Sequence, residues 1–326
     1  MIRIENLIKD FGPKRVVNDI SFNVERGEVV GFLGPNGAGK STTMRMITGF
    51  IPPTSGRVTV GSHDVAVDPI AAKRLIGYLP ENAASYPDMS VHGFLNFAAA
   101  LRGLTGDQKK RAVGRAVAMC MLDAVLYQSI DTLSKGYRHR TSLAQSLIHD
   151  PDVLVLDEPT DGLDPNQKHE IRNLIRELGK TKAVVFSTHI LEEVDASCTR
   201  AVIIDRGRIV ANGNPQQLRA LSPLSGAVTL QLGAQDAERA ETRLATLPGV
   251  ARVERLQNRV RVYPSEKRAD GSASGELARA VAELAGREGW SLVGLRTEEG
   301  HLDEVFRSIT LPDTHKARNV MAGGKS

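Results

Sequence analysis

The sequence predicts a two-part α/β protein, in which a unit built on a largely parallel sheet is followed by a smaller α+β unit. Three observations carry this. Over residues 1–213, short apolar runs such as 29–33, 153–156 and 183–186 alternate with longer amphipathic stretches, the pattern of parallel strands joined by crossover helices. From Val228 onward the expected elements follow a different order, βαββαβ. Between the two, Asn212-Gly213-Asn214-Pro215 supplies turn chemistry and a boundary, and 326 residues suffice for two separate cores.

The opening has an antiparallel character. Segments 2–4, 22–24 and 57–60 are short, β-branched and bounded by Gly or Pro, which predicts a small antiparallel sheet beside the parallel core. Strand 29–33 runs into a glycine-rich turn and a helix over 42–48. Residues 87–129 shift to Ala, Leu, Met and Lys and predict a helical insert. The apolar runs 153–156 and 183–186 are buried strands, and 202–210 reads as a hairpin. In the second unit Val228, Leu230 and Leu232 alternate as a strand and 237–247 is a helix. Strands 250–256 and 259–262 turn at Gln257-Asn258. Leu277, Val281 and Leu284 have helical spacing, 292–295 is a strand, and Leu302, Val305, Phe306 and Ile309 mark a last amphipathic helix. This is the order of a split βαβ, ferredoxin-like α+β domain over 214–310, with 311–326 expected as a polar, mobile tail.

Composition narrows the function. Hydrophobic residues at 41% and charged residues at 25% are ordinary for a globular protein and exclude wholesale disorder. No run approaches the roughly 18 apolar residues of a membrane helix. A net charge of +4 and 4% aromatics do not demand a nucleic-acid partner, so none is expected. Cys120 and Cys198 lie far apart without a CxxC neighbourhood, which argues against a zinc site or disulfide framework and fits a reducing compartment. The first residues lack the apolar core of a secretory signal.

The chemistry lies at strand ends. Gly34-Pro35-Asn36-Gly37-Ala38-Gly39-Lys40-Ser41 fits GxxxxGK[ST] between a strand and a helix that runs on through Thr42. Such glycines let successive backbone N–H groups turn toward phosphate oxygens, while Lys40 reaches the β- and γ-phosphates and the Ser41 hydroxyl is a ligand for Mg²⁺. A bare Gly-rich turn before a lysine is the bland alternative, and the strand-to-helix setting argues against it. The run 153–156 ends in Asp157-Glu158, a buried strand meeting two acids. Asp157 is expected to hold Mg²⁺ and Glu158 to orient, or take a proton from, the water that attacks the γ-phosphate. An acidic helix cap would explain one acid but not the pair.

With these residues in place, residues 1–213 resemble the ATP-binding subunits of ABC transporters. Leu133-Ser134-Lys135-Gly136-Tyr137 stands where that family carries its signature, Thr160-Asp161-Gly162-Leu163-Asp164 is similar to the D-loop, His189 to the switch histidine, and Tyr78-Leu79-Pro80-Glu81 to the Q-loop. Phe11 resembles the aromatic residue that stacks on adenine. The resemblance implies a P-loop ATPase cassette that uses ATP and Mg²⁺. It implies a head-to-tail dimer of two copies, in which Ser134, Lys135 and Gly136 of one face the γ-phosphate held by Lys40 and Ser41 of the other, with Asp164 close by. His189 would donate to the γ-phosphate or the attacking water, and Glu81 would approach Mg²⁺.

Two departures are visible. Glu81 replaces the usual Gln, and Lys135 and Tyr137 replace the first Gly and the Gln of the common signature. With Asn82, they resemble the branch serving ABC-2 type exporters, including gliding-motility and nitrous-oxide-reductase maturation systems. The implied activity is ATP hydrolysis coupled to a separate membrane permease, which would place the chain at the cytoplasmic face of the membrane. A soluble ABC-type mechanoenzyme acting on ribosomes or DNA is the alternative, but such members carry two cassettes or long coiled-coil inserts. The unit 214–310 resembles accessory domains of exporter cassettes, with dimer contacts or regulation implied.

Overall fold

The computed structural model describes residues 1–81, 86–233, 235–265 and 272–310; Asn82 and the expected tail 311–326 fall outside them. The chain divides into compact units Met1–Asn214 and Pro215–Ser326. The first contains β1 (Ile2–Phe11), β2 (Lys14–Val24), β3 (Val29–Leu33), α1 (Lys40–Ile47), β4 (Ser55–Val60), β5 (His63–Asp64), α2 (Pro69–Leu75) and β6 (Ile76–Leu79). It continues through α3 (Val91–Leu101), α4 (Gly106–Met119), α5 (Lys135–Leu147), β7 (Val153–Asp157), α6 (Pro165–Gly179), β8 (Ala183–Thr188), α7 (Leu191–Ser197), β9 (Arg200–Asp205) and β10 (Arg208–Gly213).

The central sheet runs in the order β10-β9-β3-β8-β7-β6, with β9, β3, β8, β7 and β6 parallel and β10 antiparallel at one edge. Its middle strands are apolar on both faces because both faces are covered. Leu154, Leu156, Val184 and Phe186 join the core under the helical insert, whereas Val153, Val155, Ala183 and Val185 join the core under the antiparallel sheet β2-β1-β4-β5. Alternate residues of one strand thus serve two cores, the period-2 geometry of a strand applied to a sheet with no wet face. Burial of Phe186, 1% exposed, contributes roughly 1.5–3 kcal/mol. The hairpin turn at Arg206-Gly207 has φ of 47° and 76°, the left-handed pair that a two-residue hairpin requires.

The second unit comprises α8 (Pro215–Ala220), β11 (Val228–Leu232), α9 (Ala237–Leu244), β12 (Val250–Leu256), β13 (Arg259–Pro264), α10 (Ser272–Arg287), β14 (Leu292–Thr297) and α11 (Leu302–Thr310). Its sheet order, β12-β13-β11-β14 and antiparallel throughout, is the ferredoxin-like one. Val228, Leu230, Leu232, Val260 and Val262 face a core shared with Ala240, Leu244 and Val281. No helix among the described residues is long and apolar enough to cross a membrane.

One partly buried group of the first unit is expected to set a pH response. His149, beyond the end of α5, donates from Nε2 to the Ile76 carbonyl at 3.1 Å, and burial holds its pKa down at about 4. A folded-state value below the unfolded 6.5 means that the unfolded chain binds the proton first. The contribution of His149 to stability is therefore present above pH 6.5 and is lost as pH falls from 6.5 toward 4. His149→Gln, which keeps a donor and removes the titration, is expected to flatten the dependence of Tm on pH across that window. Parallel curves for the two proteins would refute the assignment.

Candidate active site

The carboxyl ends of β3, β8 and β7 lie side by side, and the functional side chains leave from them, the usual place for ligands in a parallel sheet. The loop between β3 and α1 can turn because Gly37 and Gly39 take φ of 82° and 107°. Gly34 is required for a different reason. A Cβ there would come within 2.4 Å of the Ile204 carbonyl oxygen on β9, and backbone does not yield. Gly39 caps α1 without a side chain, so no side chain occupies the first N–H groups of the helix, an arrangement able to take an anion. Lys40, only 6% exposed, donates to the Gly34 carbonyl at 2.9 Å and the Pro35 carbonyl at 3.3 Å.

The two acids at the end of β7 have different environments. Asp157 is fully buried; its Oδ1 accepts from Ser41 Oγ at 3.1 Å and from Ser187 Oγ at 2.5 Å, whereas its Oδ2 is buried with no hydrogen-bond partner. An orphaned carboxylate oxygen beside a serine hydroxyl is the donor set a small hard cation takes. Glu158 adopts φ of 51°, left-handed for a residue with a side chain, and its N–H donates to Ser187 Oγ at 2.9 Å. That backbone turn aims its carboxylate at Lys40 and at the His189 ring. Oε1 stands 3.6 Å from Lys40 Nζ and Oε2 stands 2.9 Å from Nδ1 of His189, which is half exposed. Burial pushes the Glu158 carboxyl above the usual range, while His189 and Lys40 pull against it. The pair is thus poised between proton acceptor and ion-pair partner.

A cavity of about 490 Å³ opens over these groups, lined by Lys14, Val16, Asn36, Gly37, Gly39, Lys40, Ser41, Thr42, Glu81, Glu158, Asp161 and His189. Pro35 and Ala38 complete the loop beneath it, Ala38 being buried. Phe11 is not among the described lining residues; half exposed at the end of β1, it carries Lys9 Nζ 5.1 Å from its ring centre. Ser134 caps α5, its Oγ accepting from the Tyr137 N–H at 3.3 Å. Gly136 is pressed against Gln167, where a Cβ would meet Oε1 at 2.5 Å, and Asp164 caps α6 by accepting from the Gln167 N–H at 2.9 Å. Lys135 lies on Asp161 of its own chain, Nζ to Oδ2 2.9 Å.

Three participants escape a reading of the sequence. Lys14 lines the cavity from the start of β2 with no motif to mark it. Ser187 joins Asp157 to the Glu158 backbone; its only signal is a polar Ser187-Thr188 pair ending an apolar strand. Glu193, buried on α7, accepts from Thr160 and from Thr188 Oγ1 at 2.6 Å, tying the loops after β7 and β8 together.

Comparison with known proteins bears on this arrangement. A family model described as ABC transporter matches residues 17–161. The linearmycin resistance ATP-binding protein LnrL of Bacillus subtilis (strain 168) is 34% identical over 313 residues, 95% of this chain and 98% of LnrL. The chain belongs to the ABC transporter ATP-binding proteins. The match to LnrL extends through the second unit, whereas the Nod factor export ATP-binding protein I of Burkholderia orbicola (strain AU 1054), 36% identical over 218 residues, covers 67% of this chain and 72% of its own length. Among solved structures, an ATP-binding subunit of an ABC transporter superposes with a TM-score of 0.63 at 29% identity, over 67% of this chain and 92% of that one. The dimeric, post-hydrolysis structure of the cassette MJ0796 with ADP and Pi, at 22% identity and a TM-score of 0.61 over 66% of this chain and 98% of that one, adds the fold alone. This ABC ATP-binding protein is accordingly an ATPase, with exporter-type relatives, built on the P-loop cassette fold.

Proposed function

We propose that the chain is the ATP-hydrolysing subunit of an ABC-2 type exporter, working as a head-to-tail dimer against a separate membrane permease at the cytoplasmic face. The observation that carries the catalytic part is the double engagement of Glu158 by Lys40 and His189 beside an Asp157 oxygen that lacks a partner. Lys40, now spent on loop carbonyls and Glu158, turns to the β- and γ-phosphates when a nucleotide fills the loop, and the backbone N–H groups of residues 37–42 take the phosphate oxygens. Ser41 and Asp157 would hold Mg²⁺, with Glu81 at the cavity wall; that ion supplies neutralisation of phosphate charge. Glu158, released from Lys40, accepts the proton of the attacking water, and His189 holds the Glu158 carboxylate in place and donates toward the γ-phosphate.

Ser134, Lys135 and Gly136 at the start of α5 belong in this reading to the partner copy's nucleotide, as does Asp164 at the start of α6, and Phe11 to adenine. The second unit serves dimer contacts or regulation. Export is supported by relatives whose names state resistance and export, one of them similar over nearly its whole length. Purification from its own membranes tests the partner: a polytopic membrane protein is expected to accompany the chain, with ATPase activity rising in the complex. Sedimentation with ribosomes instead would favour the soluble mechanoenzyme.

A further inference from the structure

Lys135, at the first position of α5, is exposed but lies back along its own chain. Its Nζ lies 2.9 Å from Asp161 Oδ2, and its stem occupies the space over Gly162, where a Cβ would stand 2.3–2.6 Å from Nζ, Cε and Cδ. Gly162 takes φ of 68° and has no side chain to displace the lysine. One residue on, Gly136 meets Gln167 on the first turn of α6. The start of α5 is thus clasped at two points to the loop after β7 and the helix following it. The other end of that clasp is informative, because Asp161 also lines the cavity that holds Lys40, Glu158 and His189 of the same chain. The hydrogen bond from Lys135 holds the Asp161 carboxyl below the usual range.

We propose that Lys135 is a positioning residue rather than a phosphate ligand, a strut that ties the signature segment to the Asp161 wall of its own chain's phosphate cavity. The proposal rests on the dimer reading in one respect: there, the start of α5 serves the partner's nucleotide, so the strut links the state of one site to the geometry of the other. An exposed ion pair adds little to folding. With side chains 63% and 55% exposed, its variants are expected to fold with unchanged thermal midpoints. A charge at this position therefore has a value that stability measurements miss.

A double-mutant cycle tests it on the full chain: Lys135→Ala, Asp161→Ala, the double variant, and the exchanged pair Lys135→Asp with Asp161→Lys, each assayed for ATP hydrolysis. Each single variant is expected to lose about fivefold in kcat with KM for ATP nearly unchanged, the double variant no more than either single, and the exchanged pair to recover most of the rate. A loss for Lys135→Ala that is independent of Asp161, so that the two single losses add in the double variant and the exchanged pair recovers nothing, would assign the lysine to phosphate and overturn the strut. So would parent rates throughout, which would make the pair idle surface charge. Failure of the dimer reading shows separately, as failure of Glu158→Gln to dimerise with ATP while Lys135 and Asp161 are intact.

Discussion

Glu158→Gln is expected to lower ATP hydrolysis by about 10² to 10⁴, the range for removal of a positioned general base, while ATP still binds. The substitution is close to isosteric and leaves every other contact a role. The introduced amide oxygen can accept from His189, the backbone can keep the left-handed turn and the bond to Ser187, and Lys40 keeps its carbonyl partners. What is lost is a carboxylate able to accept a proton. Loss of its charge also frees Lys40, which stands 3.6 Å from Oε1 in the parent, so affinity for ATP is expected to hold or rise. Because reopening follows hydrolysis, a dimer formed on ATP should persist. Size-exclusion chromatography with ATP and Mg²⁺ is expected to show a stable dimer of the variant and mostly monomer for the parent. Normal turnover in the variant would remove Glu158 from the role of base.

The arrangement that supports this was legible in part, and the division has physical causes. Loop 34–41 and the Asp157-Glu158 pair stand out because each follows a continuously apolar strand, and a fully buried strand advertises its own end, whereas His189, after the polar Ser187-Thr188, is marked only by the resemblance to the family. The antiparallel strands β1 and β2 are less legible: 2–4 and 22–24 announce strands that extend to Ile2–Phe11 and Lys14–Val24. Register shifts after Ile4 and Leu7, with Asn6 and Asp19 at positive φ, break the alternation that would have betrayed the full length. Helix α1 begins at Lys40, not near Thr42, because Gly39 caps it through backbone conformation and leaves no capping side chain to see. Ser187 and Glu193 were hidden for another reason. Asp157 and Thr160, which they bond, lie about 30 residues away in sequence, and no local pattern encodes a bond over that separation.

Asp157→Asn is expected to abolish Mg²⁺-dependent hydrolysis yet leave the nucleotide-free protein as stable as its parent or more so. The carboxylate is fully buried, two hydroxyls satisfy Oδ1, and Oδ2 has no partner, so the free protein carries the desolvation of a charge with half its acceptor capacity idle. Asn keeps the acceptor for Ser41 and Ser187 and removes the charge, and an unpaired amide is less costly to bury than an unpaired carboxylate. The cost in the parent is repaid only when a cation arrives. Thermal unfolding should therefore separate the proteins by ligand. Without nucleotide, Tm of the variant is expected to match or exceed that of the parent. Addition of Mg²⁺ to ATP should stabilise the parent further and raise its Tm, the stabilisation growing with ligand over Kd and reaching about 2.7 kcal/mol at a hundredfold excess. The variant should gain from ATP alone and nothing more from the metal. A fall of several degrees in the nucleotide-free variant would make Asp157 chiefly an anchor for Ser41 and Ser187, and an undiminished response to Mg²⁺ would move the metal to other ligands.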